Sequence, residues 1–191
     1  MLKYGSLELC DLDEINNLYE RYLNSGKCIK GWLREGLQTP GYCGVKCTDG
    51  DKIVGAFSAR PAIEFTCGHE ELVRRISEQW SGHRIYTVDM LAVLPEYRGQ
   101  GVARELAKRL REKMLQNGCQ EFVVEAWRRS KENDTPMSGV LKYFGRQMVV
   151  GVYDDFYKDI RKYGIVCPEC GEICRCGAEV TVVELENGGG L

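Results

Sequence analysis

Residues 86–103 read YTVDMLAVLPEYRGQGVA, and no other stretch limits the fold so tightly. A buried-strand run leads into a proline turn, two glycines in three residues and the start of a helix. Val102, Leu106, Leu110 and Met114 recur at four-residue spacing, the stripe of a helix packed on a core. Gly118 stands where that helix would end, as a C-cap. A glycine loop ahead of a helix leaves backbone N–H groups unpaired at the positive end of the helix dipole. That makes an anion site, and glycine lacks the Cβ that would keep the backbone away from a phosphate. A diphosphate-bearing cofactor is the expected guest.

Leu91, Ala92 and Val93 before the turn, and Arg98, Gly99, Gln100, Gly101, Val102 and Ala103 after it, resemble the acetyl-CoA motif of the GNAT superfamily of N-acetyltransferases. The family pattern is Arg or Gln, two residues, Gly, one residue, Gly or Ala, and Arg98, Gly101 and Ala103 fill its fixed positions. A βα turn that serves no ligand is the plainer reading of two glycines. The strand before, the proline turn and the helix after favour the cofactor loop.

The resemblance implies an α/β (α+β) fold, a mixed, mostly antiparallel twisted sheet flanked by helices, in one domain over residues 1–191. It implies acetyl-CoA as cosubstrate and direct attack of a primary amine on the thioester, with no covalent enzyme intermediate. Backbone groups of Leu91 and Val93 would pair with the pantetheine arm, and an N–H near Leu91 would meet the oxyanion. Arg98 and Arg104 would add charge to the pyrophosphate cradle. A peptide or protein amino group is the favoured acceptor. A polyamine or amino sugar is the enzymatic alternative, and a non-catalytic acyl-CoA-sensing or protein-binding module is the alternative outside enzymes.

Composition narrows the remaining classes. A chain of 191 residues can bury a substantial core. A net charge of −2 leaves no basic footprint for nucleic acid. No apolar run approaches the ~20 residues that span a bilayer, and the start MLKYGS lacks the apolar core of a signal peptide. Ten cysteines without such a signal point to a reducing, cytoplasmic setting, where buried thiols and metal ligands account for them. The oligomeric state is not legible.

The N-terminal half follows the family order of elements. Residues 2–8 are expected as a first strand. Asp11 followed by Glu14 reads as a helix cap, ahead of a helix with Leu12, Ile15, Leu18, Tyr19 and Tyr22 inward. A short helix over 27–37 places Cys28, Ile29, Trp32 and Leu33 inward. Cys43, Val45 and Cys47 alternate as one face of a strand, so these thiols read as core rather than as ligands. A hairpin turn over 48–51 leads to a strand over 53–60. Residues 61–84 form an insertion with a short amphipathic helix. Its Cys67 and His69 resemble a metal pair, but no second cluster accompanies them. Two histidines in the chain disfavour a Ser-His or Cys-His hydrolase.

Acetyl transfer needs an amine stripped of its proton. An ammonium titrating near 10.4 is mostly protonated at neutral pH, so a positioned base helps. Glu125 is the lone carboxylate in the apolar strand 121–127, and the segment resembles the strand that carries the general base in members acting on protein N-termini. Asp89 is the second candidate, read as alternating onto the strand face of Thr87 and Leu91. By the same resemblance Asn133 contacts the cofactor and Tyr143 protonates the leaving thiolate. If Gly145 matches the family glycine, however, the family tyrosine position falls on Leu141. Tyr143 then lies about 200° around the helix from it.

The sequence CPECGEICRCG places Cys167, Cys170, Cys174 and Cys176 within ten residues. The first pair resembles a zinc knuckle, and Cys174 and Cys176 point to one face of a strand. Four thiolates complete a closed tetrahedral site, with zinc expected and iron, a disulfide or free thiols as alternatives. Strands are expected over 148–152 and 178–185, so that residues 153–177 form a knuckle insertion between two paired strands. Within it, the aromatic and anionic run of residues 153–157 would border the amine acceptor. Residues 187–191 read as a flexible tail.

Overall fold

The computed structural model describes residues 1–26, 29–129, 135, 137–171 and 173–185. In chain order the elements are β1 (Leu2–Ser6), α1 (Leu12–Tyr22), α2 (Ile29–Gln38), β2 (Cys43–Asp49), β3 (Lys52–Arg60), α3 (Glu70–Gln79), β4 (Ile85–Val93), α4 (Val102–Gln116), β5 (Glu121–Arg128), α5 (Ser138–Leu141), β6 (Gly145–Tyr153) and β7 (Gly177–Leu185). The strands form one sheet in the order β1-β2-β3-β4-β5-β7-β6. Every neighbouring pair is antiparallel except β4 and β5. This is the mixed, mostly antiparallel sheet expected from the sequence. Among the described residues no helix is long and apolar enough to cross a membrane.

Local sequence explains most boundaries. Val102, Leu106, Leu110 and Met114 are buried along α4, as their spacing predicted. Gly118 stops that helix in a left-handed conformation, with its N–H on Leu115 and the Cys119 N–H on Met114. Cys43, Val45 and Cys47 are core residues of β2. The cap expected at Asp11 takes another form. Its side chain makes no cap bond to α1 but accepts the Glu8 N–H across the preceding short helical turn and pairs with Lys46 at 2.6 Å. Glu14 in turn accepts the Ile53 N–H. Both carboxylates therefore tie the first helix to β2 and β3.

The sheet has two differently used faces. A Cβ on Gly55 would meet Val102 and Leu106, so the Gly55 side is the α4 face. Arg60 lies on the other face, under the Trp32 ring of α2. Phe144 closes the α4 face against Phe57 and Phe122. On the α1–α2 face, the insertion after β3 runs along the sheet and then returns as α3 beside β6, where Arg75 bonds the Tyr153 hydroxyl at 2.8 Å.

Two features open the middle of the sheet. The parallel pair holds register only at Ile85↔Glu121, Tyr86↔Phe122 and Thr87↔Val123, although β4 continues to Val93 and β5 to Arg128. The strands therefore diverge above Thr87 while β4 stays paired to β3 as far as Gly55↔Val93. Beside the divergence the β3–β4 register shifts between Ser58 and Ala59: Val88 pairs Ala59, Met90 pairs Ser58 and Asp89 is the extra residue. This bulge corrects the simple alternation read from the sequence. Thr87 pairs Arg60 and Leu91 pairs Phe57, so those two residues face opposite sides of the sheet.

Candidate active site

The glycine loop sits at the open end of the gap between β4 and β5. Gly99 and Gly101 hold positive φ of 73° and 82°, and Gly101 begins α4. Val93, Arg98, Gly99, Gly101, Val102, Ala103 and Arg104 line a hollow of about 130 Å³, the scale of one phosphate group rather than of a whole nucleotide. No protein atom lies within 3.4 Å of a Cβ built on either glycine, so glycine is required there by backbone conformation. Arg98 donates from Nε to the Val93 carbonyl at 3.0 Å, which fixes the loop to the last residue of β4. Leu91, Ala92 and Val93 lie on the stretch of β4 that has lost its β5 partner; because the Leu94 N–H bonds Val54 on β3, alternation turns the backbone groups of Ala92 to β3 and those of Leu91 and Val93 to the gap.

Glu125 and Asp89 stand on the two sides of that gap, both on the α1–α2 face. Tyr19 of α1 lies within electrostatic reach of each. Glu125 is half-buried on β5, and its Oε2 accepts the Thr66 N–H at 2.9 Å. Burial raises its carboxyl above the usual glutamate range, while hydrogen bonds from Tyr157 and Thr66 pull the other way. Asp89, on the bulge, has a side chain only 2 % exposed. Its carboxyl rises to about 6, driven by burial and opposed by Arg60. Arg60 bonds it from Nε at 2.7 Å and reaches Glu64 from Nη1 at 3.1 Å. Both carboxylates thus sit in surroundings that raise them, which makes them candidates for a functional role.

A strap from the insertion crosses the gap between them. Thr87 on β4 donates to the Ala62 carbonyl at 2.6 Å and accepts the Glu64 N–H at 3.2 Å, and two residues on the strap reaches Glu125 on β5. The connection from β6 to β7 packs against it through Phe65–Phe156 and through His69 stacked on Phe156 at 3.7 Å. His69 and Cys67 are therefore packing groups of this junction. The sequence assigns no role to Arg60, Thr66 or Thr87, and Tyr157 enters it only as part of the run 153–157. Arg60 alone left a signal, a charge ending the otherwise apolar run of β3.

Three comparisons relate this chain to known proteins. The model of the acetyltransferase (GNAT) family matches residues 11–135. The chain belongs to that family. Thialysine N-epsilon-acetyltransferase of Mus musculus is 32 % identical over 74 residues, a match spanning 38 % of this chain and 39 % of that protein. The chain therefore covers about two fifths of this relative. The fold extends further than the sequence likeness. The ribosomal-protein-S18-alanine N-acetyltransferase of Escherichia coli superposes with a TM-score of 0.64 at 15 % identity, covering 99 % of this chain and 97 % of that one. Arabidopsis thaliana NAA60, solved with a bisubstrate analogue, gives 0.64 at 13 % identity, covering 99 % and 100 %. In this GNAT chain the strand divergence, the bulge and the glycine loop occur together on one sheet.

The four cysteines converge as well. The sulfurs of Cys167, Cys170, Cys174 and Cys176 all lie within 4.8 Å of one another. Cys170–Cys176 is 3.6 Å and Cys167–Cys176 is 3.9 Å. Four ligands at ~2.3 Å from a tetrahedral zinc stand about 3.8 Å apart, close to these two separations. The turn is made by the Gly171 N–H on the Cys167 carbonyl, and the Arg175 N–H points at the Cys170 sulfur. Among the described residues this is the one cluster of three or more metal-ligating side chains.

The remaining candidates are placed differently. Tyr143 lies in the turn between α5 and β6, partly buried and next to Lys142, while Leu141 is core. β6 starts opposite Leu185, at the end of the sheet where β5 begins, whereas the glycine loop follows the other end of β4. The structure thus puts Tyr143 and the phosphate hollow at opposite ends. Asn133 lies outside the described residues, as does Cys28. Asp154 is exposed and pairs with Arg128 at 3.1 Å, and Asp155 holds a turn at φ 50°, while Phe156 and Tyr157 are buried.

Proposed function

We propose that this GNAT protein transfers an acetyl group from acetyl-CoA to a primary amine, with the cofactor lying between the diverging strands β4 and β5. The observation that carries this reading is the coincidence of three parts: an opened parallel pair, a glycine loop at a helix start beyond it, and a half-buried Glu125 on its far side. The loop and the N–H groups at the start of α4, with Arg98 and Arg104, hold the pyrophosphate. The free edge of β4 at Leu91 and Val93 takes the pantetheine arm as a further strand. An N–H near Leu91 meets the oxyanion as the amine adds to the thioester carbonyl.

Glu125 receives the amine proton as nitrogen attacks, the tetrahedral intermediate collapses, and the C–S electron pair leaves on sulfur. That thiolate takes its proton from water, because Tyr143 stands at the other end of the sheet. The favoured acceptor is a peptide or protein amino group. Names of similar proteins support an amine acceptor in both classes, a protein alanine in one and a free amino acid analogue in another. Zinc is the proposed occupant of the four-cysteine cluster, supported by its sulfur spacing, and would serve as a closed structural centre. Thiol release from acetyl-CoA, measured across N-terminal peptides, lysine peptides, polyamines and amino sugars, tests the reading. Turnover with peptides above the small amines supports it, and no thiol release with any amine contradicts it.

A further inference from the structure

We propose that Arg60 is a positioning residue for acetyl transfer: by clasping Asp89 it holds the β4 bulge, and with it the backbone donors that face the thioester. The inference rests on the reading of the β4–β5 gap as the acetyl-CoA site.

A bulge re-aims the backbone around it and is stable only where something fixes the extra residue. Here the extra residue is Asp89, opposite the shift between Ser58 and Ala59 and just above Thr87↔Val123, the last pair before β4 and β5 part. Its carboxylate is anchored at 2.7 Å to a guanidinium that is itself only 9 % exposed. Trp32 covers that guanidinium at 4.2 Å from its ring centre. The fit of α2 over it depends on Gly36. A Cβ there would stand 2.9 Å from the Tyr42 ring and 3.1 Å from Arg60 Nη2, so helix α2 carries its glycine where Arg60 needs the space.

Arg60 also acts beyond β4. Its Nη1 holds Glu64, whose N–H bonds Thr87 on β4, and the same strap donates the Thr66 N–H to Glu125 on β5. One buried cation thus fixes both the strand that would present the oxyanion donors and the segment that aims the base. A displacement of about 1 Å at such donors can cost roughly 10²-fold in rate. Asp89 holds Arg60 through Oδ1, and in this arrangement its role is that anchor rather than the base.

The test compares Arg60→Gln, Asp89→Asn and the double variant with the wild type, by kcat, acetyl-CoA affinity from calorimetry, and the pH profile of kcat. Each single change should lower kcat about 10²-fold with acetyl-CoA affinity kept and the acidic limb of the profile in place. The double variant should be no slower than either single one, because both remove the same contact. Arg60→Lys, which keeps the charge without the planar fork, should recover part of the loss. If Arg60→Gln fails to fold, Asp89→Asn carries the comparison, since it keeps the shape of the side chain while removing the charge that holds Arg60. Normal kcat in a folded single variant would overturn the proposal, as would losses that add in the double variant. Loss of the acidic limb in Asp89→Asn, with turnover kept in Arg60→Gln, would make Asp89 the base and overturn it too. A wild type that binds no acetyl-CoA would instead remove the functional reading beneath it.

Discussion

At the scale of single residues, the two carboxylates of the gap are distinguished by their partners. Glu125 accepts hydrogen bonds from two neutral partners, the Thr66 N–H and Tyr157, whereas Asp89 is paired with a cation, Arg60. Desolvation of Asp89 outweighs the attraction of Arg60 and raises its carboxyl from 3.8 to about 6. A carboxyl raised in the folded state binds its proton more tightly there than in the unfolded chain. Its contribution to stability is therefore full below the unfolded value and is lost as pH rises through about 6. The expected loss is about 3 kcal/mol between pH ~4 and ~6, and Asp89→Asn should remove it. Subtracting the urea-unfolding curves of the variant from those of the wild type across that range gives the measurement. A flat difference would mean that Arg60 compensates the burial fully.

At the scale of elements, the connection from β6 to β7 ties several parts of the molecule together. Val166, one residue before Cys167, makes two backbone hydrogen bonds with Ser25 in the connection after α1, at 2.7 and 3.2 Å. Gly26 packs so closely on Gly164 that a Cβ would come within 2.4 Å of its carbonyl oxygen. At the other end of the cluster, the Cys176 carbonyl accepts the Tyr157 N–H at 3.4 Å, and Tyr157 bonds Glu125. A metal at the cysteines would therefore brace both the segment after α1 and the Tyr157 segment that bonds Glu125, because metal binding and local order are coupled. Cys170→Ser should raise acceptor KM about tenfold or more, ~1.4 kcal/mol of binding, with acetyl-CoA affinity kept. Metal content by elemental analysis should fall in parallel. Unchanged acceptor kinetics in a metal-free variant would leave the cluster as a staple of its own loop.

These elements also show what a sequence can disclose. The α4 stripe, the β2 alternation and the glycine loop were legible because each depends on residues close in the chain. The bulge at Asp89 was not, since a register shift depends on the partner strand and leaves no mark in the alternation of β4 itself. Arg60, Thr66 and Thr87 escaped for the same reason: their roles arise when the insertion folds back over the gap. The helix cap at Asp11 was misread because Lys46, 35 residues on, competes for its carboxylate.

At the scale of the whole molecule, one open parallel pair in an otherwise antiparallel sheet organises everything else. The glycine loop lies at its wide end, Asp89 at its apex and Glu125 on its far strand, while the strap and the cysteine connection cover the α1–α2 face. In the proposed reaction, direct attack at this gap uses Glu125 on β5 as the base and nothing covalent from the protein. The most direct measurement is thiol release from acetyl-CoA by wild type and Glu125→Gln under saturating amine, with cofactor affinity followed by calorimetry. The account predicts a kcat lower by roughly 10²–10⁴-fold in the variant, an unchanged affinity for acetyl-CoA, and activity in the wild type that falls as acid protonates Glu125. Near-normal turnover by Glu125→Gln at neutral pH would contradict it.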